Sequence, residues 1–96
     1  MPTYIALCRF TDQGIRSIKD TTKRAAAAQE AAGRFGARMQ IYWTLGQYDL
    51  VTLIEAADEQ TATAFGLSIT SAGNIRMETM RAFGSDEIGG ILGKLP

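Results

Sequence analysis

The sequence predicts an α+β fold in which a four-stranded antiparallel sheet carries two helices on one face. Three observations support this prediction. A strand pattern opens the chain, two further strand patterns are joined by a short glycine-containing segment, and a helical pattern lies on either side of that hairpin. The order strand, helix, strand, strand, helix, strand is the ferredoxin-like arrangement, with strands one and three expected in the centre and strands two and four at the edges.

The first strand is predicted at residues 3–10 by apolar side chains on both of its faces. Tyr4 and Cys8 belong to one alternating set, and Ile5, Leu7 and Arg9 to the other. A strand that is apolar on both faces is typical of a central position. Residues 11–14 then supply turn residues.

The first helix is predicted between residues 15 and 35, in two pieces. We expect a short turn or helical segment near residues 15–19, because Asp20, Thr21 and Thr22 favour helix caps over helix interiors. The main helix follows from about Thr21 to Gly33 or Phe35 and contains four consecutive alanines at residues 25–28.

Strands two and three are predicted at residues 38–45 and 50–56, and Gly46 to Asp49 connects them. The connection has a structural interpretation. Gly46 is the structural turn residue, able to adopt a positive φ, while Asp49 bonds to turn amides and Tyr48 packs across the hairpin. In the functional interpretation, Tyr48 and Asp49 form the polar lip of a pocket, with Tyr48 as a donor and Asp49 as an acceptor or base.

The second helix is predicted to begin with Asp58 as its N-cap and to end at Gly73. Residues 74–83 form the last strand. We expect residues 1–84 to form the folded domain, and the glycine-rich residues 85–96 to form a separate C-terminal arm. That arm is either extended and docked on its own or a neighbouring subunit, or disordered.

The composition bounds the possible functions. Ten basic and ten acidic residues cancel, so the net basic field of a nucleic-acid-binding protein is missing and we expect no nucleic-acid partner. Histidine is absent and Cys8 is the only cysteine, which argues against histidine-based catalysis and nearly every zinc site. We expect no metal and no cofactor. Lacking a leader pattern and a membrane-spanning apolar run, the protein is expected to be cytoplasmic without a membrane partner.

Apolar side chains on both faces of the strands predict an oligomer. Two helices cover one face of the sheet, and a soluble monomer does not tolerate a large exposed apolar face. The same face of a second copy would cover it most simply. We therefore expect a homodimer or a higher homo-oligomer.

The hairpin sequence from Tyr42 to Val51, together with residues 1–7 and 73–76, resembles the GYD domain family. That family is named for a signature that corresponds here to Gly46, Tyr48 and Asp49. The resemblance extends to about residue 84 and implies the dimeric α/β barrel form of the fold. The wider superfamily includes cofactor-independent oxygenases, haem enzymes and binding proteins, so the resemblance does not choose a function.

The aromatic and charged residues of the strands are the candidate ligand-binding residues: Tyr48, Asp49, Trp43, Tyr4 and Arg9. Trp43 has an alternative interpretation as a core or interface residue. For Arg9 and Arg81, the alternative is an ion pair with Glu55, Glu78 or Asp49, either inside one subunit or across the subunit interface.

The sequence favours a protein that binds a small, partly apolar molecule in its barrel or in a cleft between sheet and helices. One alternative is a structural or interaction module whose barrel is packed. Another is a cofactor-independent oxygenase-like enzyme, in which Asp49 would act as the base and an arginine would stabilise charge. No catalytic residue is identified, and the sequence leaves open whether the protein is an enzyme.

Overall fold

A computed structural model describes all residues from Met1 to Pro96. Its elements follow the predicted order, with two short segments, a helix and a 3₁₀ turn, before the main helix and one further helix after the last strand. The elements are β1 (Thr3–Phe10), α1 (Asp12–Arg16), a 3₁₀ turn (Ile18–Asp20), α2 (Thr21–Arg34), β2 (Arg38–Trp43), β3 (Leu50–Glu55), α3 (Glu59–Thr70), β4 (Ile75–Ala82) and α4 (Ser85–Leu92). None of the helices combines the length and the hydropathy that crossing a bilayer requires.

The four strands form one antiparallel sheet in the order β2-β3-β1-β4. Strands β1 and β3 are central and β2 and β4 are the edges, which confirms the predicted topology. The register places Tyr4 opposite Ile54 on β3 and Arg81 on β4. Since alternate side chains point to opposite faces, the register decides which residues meet the helices.

Helices α2 and α3 pack together on one face of the sheet. Phe65 of α3 is fully buried, and its ring lies 5.7 Å from the ring of Phe35, the C-cap of α2. Tilted aromatic pairs at this distance add to the apolar area that they bury. The core around this pair comprises Tyr4, Ala6, Cys8, Ala32, Ala37, Met39, Leu50, Ile54, Ala56 and Ala62.

The predicted start of α3 is confirmed by its capping bond. The Asp58 carboxylate accepts a hydrogen bond from the Thr61 N–H at 2.8 Å. The same bond lowers the pKa of Asp58 below its usual value. Gly73, just after the helix, takes a positive φ of 86°, where a side chain would be strained.

Helix α1 begins within residues predicted to form a turn. Thr11 is its N-cap, and the Thr11 hydroxyl accepts a hydrogen bond from the Gly14 N–H. The Thr11 N–H also donates to the Asn74 carbonyl at 3.0 Å. Gly14 is buried against Asn74, so closely that a Cβ at Gly14 would overlap the Asn74 carbonyl oxygen. The start of α1 is thereby fastened to the turn between α3 and β4.

The second face of the sheet carries no helix, and we call it the open face. Its apolar centre consists of half-buried or exposed side chains: Ile5, Leu7, Tyr42, Val51, Leu53 and Met80. They are contiguous, because the register places Leu7 beside Val51 and Ile5 beside both Leu53 and Met80. Charged residues flank this centre, with the Arg38–Glu55 ion pair at one end, Arg9 and Arg76 at the other, and Glu78 on the edge strand beside Leu7.

The prediction of an extended or disordered C-terminal segment was wrong, because Ser85–Leu92 form the helix α4. Asp86 and Glu87 lie in its first turn, where the helix dipole favours acidic side chains. Glu87 also pairs with Arg81 at 2.7 Å, which lowers the pKa of Glu87. The apolar residues of the segment remain at least 40% exposed: Ile88, Ile91, Leu92 and Leu95.

Candidate functional site

A cleft between the sheet and helices α2 and α3 has a cavity volume of about 260 Å³. We call it the sheet–helix cavity. It is mainly apolar. The sheet contributes Cys8, Phe10, Met39, Ile41, Leu50, Thr52 and Ile75, while the helices and the following turn contribute Thr21, Arg24, Ala25, Ala27, Ala28, Ser68, Ile69, Ala72 and Asn74.

Small side chains on α2 help to leave this space open. Three of the four consecutive alanines line the cavity, namely Ala25, Ala27 and Ala28. A methyl group reaches a shorter distance towards the sheet than a leucine or phenylalanine side chain would. The alanine run therefore favours the helix and also shapes the cavity beneath it.

Thr52 places an unsatisfied hydroxyl group in the cavity wall. Its side chain is 2% exposed, and its Oγ1 has no hydrogen-bond partner. On the sheet, Thr52 lies between Ala6 of β1 and Ile41 of β2, and neither side chain can bond to a hydroxyl. Leaving such a group buried without a partner costs about 1–3 kcal/mol, so a hydrogen-bonding group that reached it would recover this cost.

Cys8 lies in the same wall, and its buried thiol is unreactive. Burial raises the pKa of its thiol to about 11, so that the thiol is neutral at physiological pH. The Sγ contacts only the Ala6 carbonyl as a weak donor, at 3.8 Å. The thiol therefore serves as a small apolar surface.

Arg24 is the only charged residue that lines the cavity. Its Nη1 donates to the Ser17 carbonyl at 2.8 Å, and its Nη2 donates to the Gly14 carbonyl at 3.4 Å. The residue is half-buried, although an arginine in a helix is usually a solvated surface charge. The turn that folds the 3₁₀ segment back over α2 produces this position.

A second cleft, with a volume of about 420 Å³, lies between α3 and the edge strand β4. Tyr4 and Arg81 line it together with Glu59 and several threonines of α3 and β4. The Tyr4 hydroxyl is buried without a hydrogen-bond partner. The Arg81 guanidinium lies 5.8 Å from the centre of the Tyr4 ring.

Arg9 and Tyr48 meet on the open face. The Arg9 guanidinium lies 4.8 Å from the centre of the Tyr48 ring, within the range of a cation–π contact. The Tyr48 hydroxyl donates to the Glu78 carboxylate at 3.2 Å. Tyr48 thus reaches from the hairpin across β1 to β4.

Within the chain, Arg9 and Arg81 do not form the predicted ion pairs with Glu55, Glu78 or Asp49, and pairs across a subunit interface stay a prediction. Arg9 stacks on Tyr48 instead, and the partner of Arg81 is Glu87 of α4. Glu55 pairs with Arg38 across the β2–β3 ladder. The sequence could not anticipate Glu87 as a partner, because the segment that carries it was not expected to be helical.

Asp49 stabilises the junction between the hairpin and β1. Its Oδ2 accepts a hydrogen bond from the Phe10 N–H at 2.9 Å, and its own N–H donates to the Cys8 carbonyl at 2.9 Å. The predicted bonds from the Asp49 carboxylate to turn amides are therefore replaced by a bond to the neighbouring strand. The positive φ expected at Gly46 is confirmed at 102°.

Trp43 lies at the sheet edge on the helix side. Its Nε1–H donates to the Thr21 hydroxyl at 3.1 Å, which connects β2 to the first turn of α2. The indole is 46% exposed, and Trp43 does not line the sheet–helix cavity.

The five candidate ligand-binding residues do not form one site. Arg9 and Tyr48 lie on the open face, Asp49 at the hairpin junction, Trp43 at the edge and Tyr4 under α3. The cavity is lined instead by Thr52 and Arg24, which the sequence interpretation did not select. One signal was available for Thr52, a hydroxyl between Leu50 and Ile54 on the buried face of a strand.

Replacing Asp49 by alanine is expected to lower the free energy of unfolding by about 1–2 kcal/mol, because the Phe10 N–H loses its charged acceptor. Asp49→Asn keeps an acceptor oxygen and is expected to cost less. Urea denaturation of both variants measures the difference, with Glu30→Ala, at an exposed position of α2, as a control. Equal stability of Asp49→Ala and wild type would contradict a structural role.

Comparison with known proteins supports the assignment suggested by the hairpin. The GYD domain family model matches residues 4–92, a range that includes α4. A relative from Thermus thermophilus, named glutamine synthetase and cystathionine beta-lyase binding protein, is 34% identical over 84 residues, which are 85% of this chain and 88% of the relative.

Two solved structures share the fold. TTHA0845 from Thermus thermophilus superposes with a TM-score of 0.59 at 26% identity, over 88% of this chain and 96% of its own. The candidate chlorite dismutase TA0507 also has a TM-score of 0.59, at 14% identity, over 96% of this chain and 48% of its own. At that identity the likeness shows the fold alone, and this chain spans about half of TA0507. The family match and the shared fold agree, and this chain belongs to the GYD domain family.

Proposed function

We propose that the protein binds a small molecule in the sheet–helix cavity. The observation that carries the proposal is the unpartnered Thr52 hydroxyl in the wall of a mainly apolar space. Ligand sites are typically apolar pockets in which a few polar groups fix the orientation. The ligand has an apolar body and one group that hydrogen-bonds to Thr52.

The volume limits the size of this ligand. An engineered apolar cavity of about 150 Å³ takes up benzene, so a cavity of about 260 Å³ accommodates one ring with short substituents. Drug-sized ligands occupy pockets of about 300–1,000 Å³. The proposed ligand is therefore smaller than a nucleotide or a haem.

A filled-cavity variant tests the proposal. Small aromatic and branched aliphatic compounds are screened by ligand-observed NMR, with binders titrated by calorimetry. Ala28→Leu extends a side chain from the cavity wall and should remove binding, whereas Ala26→Leu, on the exposed side of the same helix, should retain it. The absence of any binder, or unchanged binding to Ala28→Leu, would contradict the proposal.

Thr52→Val is expected to raise the free energy of unfolding of the unliganded protein by about 1 kcal/mol, because it removes a buried hydroxyl that has no partner at nearly constant volume. The same substitution should weaken the binding of any compound that hydrogen-bonds to Thr52. Denaturant titration and calorimetry measure the two effects. Thr79→Val, at an exposed position of β4, serves as the control and should change neither quantity appreciably.

We also propose that two copies associate in the cytoplasm through their open faces. The contiguous apolar centre between charged ends supports this proposal, since interfaces commonly have an apolar core and a polar rim. A two-fold axis would bring the same side chains of both copies together. Static light scattering at micromolar concentration measures the mass, and a stable monomer would contradict the proposal.

A second candidate function is binding to metabolic enzymes. The name of the Thermus thermophilus relative supports it. We infer that this chain binds glutamine synthetase or cystathionine beta-lyase, whether or not a ligand occupies the sheet–helix cavity. Sedimentation velocity of mixtures with each purified enzyme tests this, with bovine serum albumin as the control. Binding to neither enzyme would eliminate the candidate and leave the cavity proposal unaffected.

A further inference from the structure

The sheet–helix cavity has a one-sided electrostatic environment. Arg24 lines it, and no acidic side chain does. The ion pairs of the protein join Arg38 to Glu55 and Arg81 to Glu87, so Arg24 has no carboxylate partner. A half-buried guanidinium beside an apolar space, without an anion, favours a ligand that supplies one.

The orientation of Arg24 is already fixed by neutral acceptors. Nη1 donates to the carbonyl and the hydroxyl of Ser17 at 2.8 and 3.2 Å, and Nη2 donates to the Gly14 carbonyl at 3.4 Å. A guanidinium has five N–H donors, so these three contacts leave donors available. The pre-oriented side chain loses less conformational entropy when an anion binds.

The first turn of α2 adds a second attraction for an anion. Thr21 and Arg24 both belong to this turn and line the cavity. No acidic residue lies in the turn, and the N-cap Asp20 makes no side-chain hydrogen bond to its amides. The positive end of the helix dipole therefore lies in the turn that carries Arg24.

Thr52 provides the independent indication that a ligand binds here. Thr52 is 2% exposed and lines the same space as Arg24, and its hydroxyl lacks a partner. Between them the cavity wall is apolar, with Cys8, Leu50 and Ile41 from the sheet. A fitting molecule has an apolar body against the sheet and an anionic group at α2.

We propose that the cavity ligand is a small monocarboxylate, an inference that rests on the proposed function. Its carboxylate binds Arg24, and its apolar body, about one ring in size, lies against Leu50 and carries one substituent that hydrogen-bonds to Thr52. A carboxylate is the preferred class because it matches the planar fork of a guanidinium and fits the volume of about 260 Å³.

Paired probes of equal shape test the charge. Benzoate and neutral benzamide are titrated into the wild-type protein by calorimetry at low ionic strength. Benzoate is expected to bind at least about tenfold more tightly, because a hydrogen bond to a charged group is stronger than a neutral one. Arg24→Gln should reduce benzoate to the affinity of benzamide, while Arg76→Gln, which removes an exposed arginine on the open face, should preserve the preference.

The outcomes separate the two proposals. Equal affinity of benzoate and benzamide for wild type would overturn the carboxylate inference and leave cavity binding supported. Failure of both probes to bind would also overturn the carboxylate inference. The NMR screen of aromatic and aliphatic compounds would then decide separately whether the cavity binds a small molecule. If Arg24→Gln fails to fold by circular dichroism, added NaCl replaces it as the test. The preference for benzoate must then fall with salt, and a salt-independent preference would overturn the inference.

Discussion

Leu7→Lys is expected to convert the proposed homodimer into a folded monomer. Leu7 lies on the central strand β1 in the middle of the open face, opposite Val51 on β3 and Glu78 on β4. In the monomer the new ammonium group is solvated and adjacent to Glu78. In the dimer it would be buried twice, once per copy, and each burial costs several kcal/mol.

The dissociation constant is expected to rise at least about 100-fold, which corresponds to about 2.7 kcal/mol. Sedimentation velocity at several concentrations measures it. Leu67→Lys is the matched control, because Leu67 is 64% exposed on α3 and outside the open face. A dimer that tolerates Leu7→Lys as well as Leu67→Lys would place the interface elsewhere.

Gly14→Ala is expected to lower the free energy of unfolding by about 2–3 kcal/mol, at the upper end of the usual range for overpacking. The added Cβ would overlap the Asn74 carbonyl oxygen, which belongs to the backbone and cannot rotate away. Relief requires α1 to move off the α3–β4 turn, and that motion breaks the bond from the Thr11 N–H to Asn74.

Gly33→Ala makes the same chemical change where space is available. Gly33 lies in α2 and an added Cβ would meet no atom within 4 Å. Because alanine favours the helix by about 1 kcal/mol over glycine, this variant should be as stable as wild type or more so. Guanidinium denaturation compares the two variants. Similar midpoints for both would show that the contact at Gly14 relaxes without cost.

The sequence was sufficient to predict the sheet and the helical layer. Alternation along β1 identified a strand buried on one face and apolar on the other, and the Asp58 cap marked the start of α3. These features depend on neighbours in sequence. Helix α4 was not predicted from the sequence, because Gly89 and Gly90 disfavour a helix. The acidic residues of its first turn, which include Glu87, stabilise the helix start and were given less weight.

The candidate site was harder to predict, because its residues are ordinary when taken singly. A threonine is common in strands, and the hydroxyl of Thr52 is isolated only because Ala6 and Ile41 flank it on other strands. In the sequence, Arg24 cannot be distinguished from other arginines on the surface of a helix. Only in the structure does the 3₁₀ turn place the Ser17 carbonyl beside its guanidinium. By contrast, the conspicuous Asp49 makes a backbone contact that explains its presence.

The bond between Trp43 and Thr21 gives the protein an internal optical reporter. Trp43 is the only tryptophan of the chain, so its emission has a single origin. Its indole N–H is joined to the turn of α2 that carries Arg24, while the ring itself remains partly in water. A molecule that binds at this turn would change the polarity or the quenching around the indole, and its occupancy could be followed without any label.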